Sequence, residues 1–209
     1  MRQCVRETCH FRFPVPAGSG EGETCPRCGA VTAFATRPAG GWEPSPESAS
    51  AGVHVEALLD NIRSIFNVGA IFRTADGAGL RRLHLAGITA TPEHPKVAKT
   101  ALGAESTIPW HYYSNGLAAA QLVKEQGYQL WALESTPASI SLFQARPVDN
   151  IPVLFIVGNE KAGVDPAILA LCDRILHIPM VGHKSSLNVA IAFGVAAYHL
   201  RYGRGQLEE

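Results

Sequence analysis

Residues 178–200, with the sequence IPMVGHKSSLNVAIAFGVAAYHL, constrain the fold more than any other stretch. They predict the end of a strand, a polar loop that contains Gly182, and then a helix. The helix carries no Lys, Arg, Asp or Glu before Leu200. We therefore expect it to be buried on all sides, either in a core or against a second subunit. It is too short for a membrane span, which needs roughly 20 apolar residues.

The start of this helix is its polar part. Ser185 or Ser186 can cap the helix by accepting a hydrogen bond from an early backbone N–H, and Gly203 is a suitable left-handed end. Ser186 and Asn188 then lie at the mouth of an otherwise apolar helix. Polar side chains in that position, beside a glycine loop, indicate a binding site.

Four of the five cysteines lie within the first 28 residues, spaced as C-x4-C and, fifteen residues later, CPRCG. The chain begins without the apolar stretch of a secretory signal, so we expect a cytoplasmic protein in which disulfides explain this pattern poorly. Two thiolates three positions apart on a tight turn can reach one tetrahedral ion. The pattern predicts a zinc-ribbon-like module with a structural Zn²⁺ held by Cys4, Cys9, Cys25 and Cys28.

Two alternatives explain the same cysteines, namely a redox CxxC pair and a ribbon that no longer binds metal. His10 is a possible substitute ligand, although four cysteines already complete a structural site. Cys172 lies in an apolar run and is expected to be a core residue.

The module is predicted to span residues 1–35, too few for a sufficient core, so that the metal would supply its folding energy. Its cations, Arg6, Arg12 and Arg27, alternate with Phe11 and Phe13, a combination that suits RNA phosphates and bases. In the alternative interpretation the two phenylalanines form the small core of the module.

Residues 36–52, TRPAGGWEPSPESASAG, have the composition of a linker. The formal net charge of the whole chain is zero, so no overall field attracts RNA or a membrane surface. Any RNA would have to be bound by a local patch.

Strands and helices are predicted to alternate through residues 53–209. Strand patterns occur in VHVEALLD, RRLHLAG, WHYYS, YQLWALES, VLFIVG and RILHIPM, with helical or loop segments between them. This order predicts an α/β domain with a mainly parallel sheet flanked by helices.

Two further stretches place polar residues where an element ends. In residues 61–79, Asn67 and Arg73 lie about one and a half turns apart on a predicted helix; Arg73 suits either a surface salt bridge or a functional role. In LFIVGNEKAG, Gly158 and Gly163 flank Glu160 after a buried strand, which suits either a ligand close to the backbone or a simple tight turn. The GxGxxG pattern of dinucleotide-binding folds is absent.

The three stretches together resemble the three motifs of the SpoU/TrmH class of SPOUT RNA methyltransferases. NIRSIFNVGAIFRTADGAG matches the first motif, IVGNEKAG the second and IPMVGHKSSLNVAIAFGVAAY the third. The resemblance implies S-adenosylmethionine as cofactor and a ribose 2′-hydroxyl of tRNA or rRNA as methyl acceptor. It also implies a homodimer and a deep C-terminal trefoil knot.

The resemblance assigns roles by motif position. The active-site residues it implies are Asn67, Arg73, Glu160, Ser186 and Asn188. The cofactor-binding residues it implies are Gly158, Gly163, Ile178, Met180 and Leu187. Because a guanidinium stays protonated in proteins, we expect Arg73 to hold a phosphate and a developing alkoxide rather than to act as a base. The alternative function is an RNA-binding or ribosome-assembly factor that uses the same fold without chemistry.

Overall fold

A computed structural model describes residues 1–16, 19–36, 53–148 and 150–203 of the chain. These residues fall into two compact units, one within Met1–Ser48 and one within Ala49–Glu209. The predicted linker 36–52 lies outside the described residues apart from Thr36.

The smaller unit is built on a three-stranded antiparallel sheet. Its strands are β1 (Arg2–Cys4), β2 (Arg12–Phe13) and β3 (Thr32–Phe34), in the order β2-β1-β3. Arg2 pairs with Phe13 on one side and Phe34 on the other, so the three side chains share a face of the sheet. The Arg2 guanidinium carbon lies 4.5 Å from the centre of the Phe34 ring, a cation–π contact.

The larger unit contains a seven-stranded sheet in which every pairing is parallel. Its strands are β4 (Val55–Asp60), β5 (Leu83–Ala86), β6 (Trp110–Tyr113), β7 (Gln129–Leu133), β8 (Ile140–Ser141), β9 (Val153–Val157) and β10 (Arg174–His177). They lie in the order β6-β5-β4-β9-β7-β10-β8. The predicted α/β class and the six predicted strands are confirmed. The two-residue edge strand β8 was not predicted, because two residues carry no readable periodicity.

The described residues around the sheet form the α-helices α1 (Ile65–Ala78), α2 (Pro95–Ala101), α3 (Ala104–Thr107), α4 (Gly116–Glu125), α5 (Pro166–Leu171) and α6 (Val189–Tyr202). Alternate residues of the buried strands face opposite sides. Phe155 packs with Ile71 of α1 and Phe193 of α6 in one apolar cluster. Its neighbour Ile156 belongs to a second cluster with Ala120 of α4 and Ile168 of α5. The sheet is therefore buried on both faces, which explains the continuous apolar runs in its central strands.

Helices α1 and α6 lie side by side and run in the same direction. Near their N-terminal ends the Asn188 amide donates to Asn67. Near their C-terminal ends a Cβ added to Gly77 would lie 2.9 Å from the Tyr198 hydroxyl oxygen. Small residues on α1 therefore let the last helix approach it closely.

Two expectations for α6 are wrong within the single chain. The helix is not buried all round, because Ile191, Tyr198 and Tyr202 are 59%, 47% and 52% exposed. Gly203 ends it with a φ of −70° rather than in the left-handed region. The exposed face leaves open the second predicted environment, burial against another subunit. The trefoil knot depends on the path of the chain and not on sheet order, and it stays a prediction.

No helix among the described residues has both the length and the apolar character to cross a lipid bilayer. The cytoplasmic location expected from the sequence stays a prediction.

Candidate functional site

A cavity of about 350 Å³ opens at the carboxyl ends of β7, β9 and β10. Crevices at this edge of a parallel sheet are the usual ligand sites of α/β folds. The side chains around it come from three segments: the end of β7, the loop after β9, and the segment between β10 and α6. Its principal lining residues are Leu133, Glu134, Ser135, Gly158, Glu160, Gly163, Leu176, His177, Ile178, Met180, Ser186, Leu187 and Asn188.

The loop after β9 requires its two glycines. The backbones of Asn159 and Gly163 exchange hydrogen bonds of 3.0 and 2.9 Å, which folds the loop into a tight turn. A Cβ on Gly158 would overlap the backbone of Gly163, and Gly163 itself has a φ of +75°, a region open mainly to glycine. The turn therefore presents bare backbone to the cavity.

Glu160, at the tip of this loop, ties it to the start of α1. Its carboxylate accepts hydrogen bonds from the backbone N–H groups of Arg63 (2.8 Å) and Ser64 (2.9 Å) and from the Asn67 amide (2.9 Å). Burial alone would raise the pKa of Glu160, but these three donors hold that pKa below its ordinary value. Glu160 is therefore a fixed carboxylate near neutral pH.

Asn67 connects all three motif stretches. Its amide nitrogen donates to Glu160 and its amide oxygen accepts from the Asn188 amide at 3.1 Å. Asn188 in turn caps α6, because its side-chain oxygen accepts from the N–H groups of Ala190 (2.9 Å) and Ile191 (3.4 Å). The chain Glu160–Asn67–Asn188 thus joins the β9 loop, α1 and α6.

The predicted cap of α6 is corrected by this geometry. Ser185 and Ser186 precede the helix, which begins at Val189 with Asn188 as its N-cap. Ser186 is exposed and lines the cavity beside Leu187. It is thus placed to contact a ligand rather than the helix backbone.

The expected cofactor residues Gly158, Gly163, Ile178, Met180 and Leu187 all line the cavity. The fold thus brings them together from positions that are far apart in the chain.

Two expected site residues, Asn67 and Arg73, do not line the cavity; Asn67 is hydrogen-bonded to its wall, whereas Arg73 lies apart. It is exposed on α1, nearly two turns beyond Asn67, and it is not among the residues around the cavity. Across the part of the chain that the structure describes, no hydrogen bond or ion pair joins the Arg73 side chain to another residue. Phe66, seven positions earlier on the same helical face, is 62% exposed.

Sequence reasoning missed several side chains in the cavity wall, among them Glu134 and His177. Ser139 donates its hydroxyl to the Thr136 carbonyl (2.7 Å) and also lies 2.9 Å from Nδ1 of His177. The Ser139 hydroxyl therefore orients the His177 imidazole in the cavity wall. A polar residue at the end of each apolar strand run was the available signal.

Asn61 has a supporting role under the cavity. It holds a φ of +58°, and its backbone carbonyl accepts from the Asn159 amide at 2.7 Å. Its own amide donates to the buried Asp60 at 2.8 Å, whose pKa is raised because the carboxyl group is buried. Asn61 therefore links the end of β4 to the glycine loop.

The small unit contains a separate candidate metal centre. The sulfur atoms of Cys4 and Cys28 are 3.6 Å apart, those of Cys9 and Cys25 are 3.8 Å apart, and all four lie within 4.8 Å of one another. Four sulfurs bound tetrahedrally to zinc at about 2.3 Å stand about 3.8 Å apart. The four cysteines therefore fit a structural zinc ion, as the spacing predicted.

The turns around these cysteines favour metal binding. The N–H of Ala30 is the main cause of the lowered pKa of Cys28, about 7, and the thiolate is the form that binds metal. His10 has a φ of +45° and lies outside the cysteine cluster, so it serves the turn and not the metal.

The comparisons with known proteins agree with this geometry. A sequence profile described as the SpoU rRNA Methylase family matches residues 54–198. The chain is 34% identical over 160 residues to the 23S rRNA (guanosine(2553)-2′-O)-methyltransferase RlmP of Bacillus subtilis, covering 75% of this chain and 61% of the relative. It therefore spans about three fifths of that relative's length.

Two solved structures resemble it. The AdoMet-bound rRNA methyltransferase from Sinorhizobium meliloti has a TM-score of 0.68 and 26% identity, covering 78% of this chain and 62% of that one. The SpoU methyltransferase AviRb from Streptomyces viridochromogenes, in complex with AdoMet, has a TM-score of 0.64 and 26% identity, covering 75% and 63%.

Proposed function

The chain belongs to the SpoU rRNA methylase family, and on that basis we propose that it transfers a methyl group from S-adenosylmethionine to a ribose 2′-hydroxyl of tRNA or rRNA. The observation that carries this proposal is the hydrogen-bonded chain Glu160–Asn67–Asn188 at the cavity. It joins the three stretches from which the family was first inferred.

The cavity suits S-adenosylmethionine in size and chemistry. Its volume of about 350 Å³ lies in the usual range for small-molecule sites, roughly 300–1,000 Å³. Leu176, Ile178 and Leu187 offer apolar contact to a flat purine ring, and the glycine loop offers bare backbone. When bound, this cofactor supplies an electrophilic methyl group on a positively charged sulfur.

The residues of the chain would then position the acceptor and manage its charge. Asn188 and Ser186 lie at the cavity, where they can bind the ribose or the amino-acid end of the cofactor. Glu160 fixes the orientation of Asn67. Arg73, as a permanent cation, would bind an RNA phosphate and stabilise the alkoxide that develops as the 2′-hydroxyl loses its proton.

A homodimer is part of the proposal. Phe66 on α1 and Ile191, Tyr198 and Tyr202 on α6 leave exposed aromatic and aliphatic surface on two adjacent helices. Because Arg73 shares the exposed face of Phe66, a second copy bound here would bring Arg73 close to the other subunit. Sedimentation of the chain against an Ile191→Asp variant tests this: the variant should be monomeric.

We also propose that the cysteine module contacts RNA. Phe34 is 70% exposed beside Arg2, and the Phe11 ring stacks on Phe13 with 6.0 Å between centres. Exposed rings beside guanidinium groups suit base stacking and phosphate binding. A chain without residues 1–40 should bind RNA more weakly and S-adenosylmethionine equally well. Loss of both affinities would mean that the module stabilises the fold instead.

Ribose-methylated nucleosides provide the test of the reaction. Mass spectrometry of tRNA and rRNA from a deletion strain should show one 2′-O-methylated nucleoside missing, and the purified protein should restore it with S-adenosylmethionine. An unchanged nucleoside profile, together with no calorimetric binding of the cofactor, would instead favour an RNA-binding or ribosome-assembly factor.

A further inference from the structure

Two carboxylates line the cavity, and they differ in the number of hydrogen bonds that they accept. Both oxygens of Glu160 are bonded, Oε2 by one donor and Oε1 by two. Glu134, at the end of β7, receives one donor on each oxygen. The N–H of Ser135 donates to Oε1 and the N–H of Val164 donates to Oε2, both at 3.0 Å.

Glu134 is therefore held in place but keeps acceptor capacity. An ionised carboxylate offers about four lone-pair sites, and two of them are used. Among the residues that the structure describes, no cation forms an ion pair with Glu134. A Cβ on Gly163 would overlap Oε2 of Glu134, so the glycine loop lies directly against this carboxylate.

The position of Glu134 matches a known solution for binding ribose. In dinucleotide-binding folds a glycine loop follows one parallel strand, and an acidic residue at the carboxyl end of a neighbouring strand accepts from the ribose hydroxyls. Here the glycine loop follows β9, and Glu134 follows β7, which pairs with β9 in parallel. The motif GxGxxG is absent here. The glycine loop and the acidic residue nevertheless lie at the carboxyl ends of neighbouring strands.

The surroundings of Glu134 favour the nucleoside half of the cofactor. Leu133 and Leu176, which pair across β7 and β10, both line the cavity next to it. This apolar wall suits a purine ring, and the ribose is the group bonded directly to that ring. We infer that Glu134 recognises the vicinal 2′- and 3′-hydroxyls of the S-adenosylmethionine ribose. The inference rests on the proposed function.

Calorimetry with S-adenosylhomocysteine and its 2′-deoxy and 3′-deoxy analogues tests the inference, using the full zinc-loaded chain. In the wild-type protein each missing hydroxyl should weaken binding by about tenfold to a hundredfold, the effect of one hydrogen bond to a charged group. In Glu134→Gln the parent compound should bind more weakly, and the penalty for a missing hydroxyl should fall to about threefold or less. Glu125→Gln, which changes an exposed carboxylate on α4, is the matched control and should behave like wild type.

Different results overturn different claims. If wild type binds the parent compound but tolerates loss of either hydroxyl, Glu134 does not read the ribose. The same holds if Glu134→Gln weakens all three ligands equally, which would mean a purely structural role. A wild-type chain that binds none of the three would contradict the proposed function itself.

A second variant covers the case in which the Gln variant does not fold. Glu134→Asp keeps the charge but draws the carboxylate back by one methylene, so it should lose the same discrimination. Retained discrimination in that variant would contradict the inference. A further analogue lacks the amino group of the amino-acid end. If a Glu134 variant no longer distinguishes this analogue from the parent compound, but still distinguishes the deoxy analogues, Glu134 binds the amino-acid end. That result would also contradict the inference.

Discussion

Asn67 and Asn188 lie 121 positions apart in the chain, yet their side-chain amides share a hydrogen bond of 3.1 Å. The bond fixes the start of α6 against the start of α1. Asn67 also donates to Glu160. The Asn67 amide therefore connects the loop after β9 with the start of α6, the two segments on either side of the cavity. The Asn67 amide nitrogen donates to Glu160 and its oxygen accepts from Asn188. The Asn188 oxygen caps α6, and its amide nitrogen donates to Asn67.

Asn188→Asp separates these two uses. A carboxylate still caps α6, since its oxygen can accept from the N–H groups of Ala190 and Ile191, but it cannot donate to Asn67. We expect methyl transfer to fall at least tenfold while the free energy of unfolding changes by less than about 0.5 kcal/mol. Asn188→Ala should also lose about 1 kcal/mol of stability, because the cap is removed. Equal turnover in the Asp variant and wild type would show that the bridge is dispensable.

Arg73→Ala should abolish most methyl transfer, by a factor of about 10² or more, since a missing donor to a developing charge costs that much. Affinity for S-adenosylmethionine should stay unchanged, because Arg73 does not line the cavity. Arg81→Ala is the control: it removes another exposed guanidinium, at the opposite ends of the strands. Steady-state kinetics and calorimetry give the two readouts. Full turnover in Arg73→Ala would remove this residue from the mechanism.

Zinc content should be one ion per chain and should depend on the four clustered cysteines. Cys28→Ser should lower the metal content and loosen residues 1–36, because the small unit has little apolar core of its own. Cys172→Ser is the matched control, since Cys172 lies in the other unit and outside the cluster. Elemental analysis and limited proteolysis measure both effects. A metal-free wild-type chain with a stable N-terminal unit would contradict the assignment.

A buried polar cluster beneath α4 predicts the behaviour of the large unit in acid. Glu56 accepts from His84 (2.7 Å), His54 (3.1 Å) and Tyr128 (2.9 Å). Burial opposes ionisation of Glu56, but these partners outweigh it and lower its pKa to about 2 from an ordinary 4.5. A depressed pKa contributes stability that is present above the ordinary value and is lost as pH falls towards the depressed one.

We therefore expect the stability advantage of wild type over Glu56→Gln to shrink by about 2 kcal/mol between about pH 6 and pH 3. Urea unfolding followed by the fluorescence of buried Trp131 measures this difference. Other carboxylates titrate in both proteins, so their contributions cancel in the comparison. An advantage that stays constant down to pH 3 would mean that Glu56 has an ordinary pKa in the fold.

Six strands of the larger sheet were predictable because each is a short run of apolar or aromatic residues bounded by glycine or polar residues. The four metal ligands were predictable because turn geometry fixes which thiols can reach one ion. The cap of α6 was not: Ser185, Ser186 and Asn188 are all good cap residues, and the choice among them depends on Asn67, which is remote in sequence. Glu134 was not predicted for the same reason. Its proposed role depends on the glycine loop after β9, which is remote in sequence but follows the neighbouring strand.

The exposure of α6 shows a different limit. Before Leu200 the helix lacks charged residues, but composition cannot tell a core from a face that one chain leaves exposed. Phe193 is fully buried while Ile191, two residues earlier, is 59% exposed. Phe193 faces the sheet, where its ring lies 5.8 Å from that of Phe155, whereas Ile191 faces away from this cluster.

The segments of the cavity wall are synthesised in the order in which they occur along the chain. These segments come from the ends of β7, β9 and β10 and from the residues just before α6, so the last of them, including Asn188, emerges after every strand of the sheet. A chain that ends before residue 188 contains every strand of the sheet but lacks part of the cavity wall. The time at which a chain first binds ligand during its synthesis therefore shows when the final helix has been added, which is the last folding event.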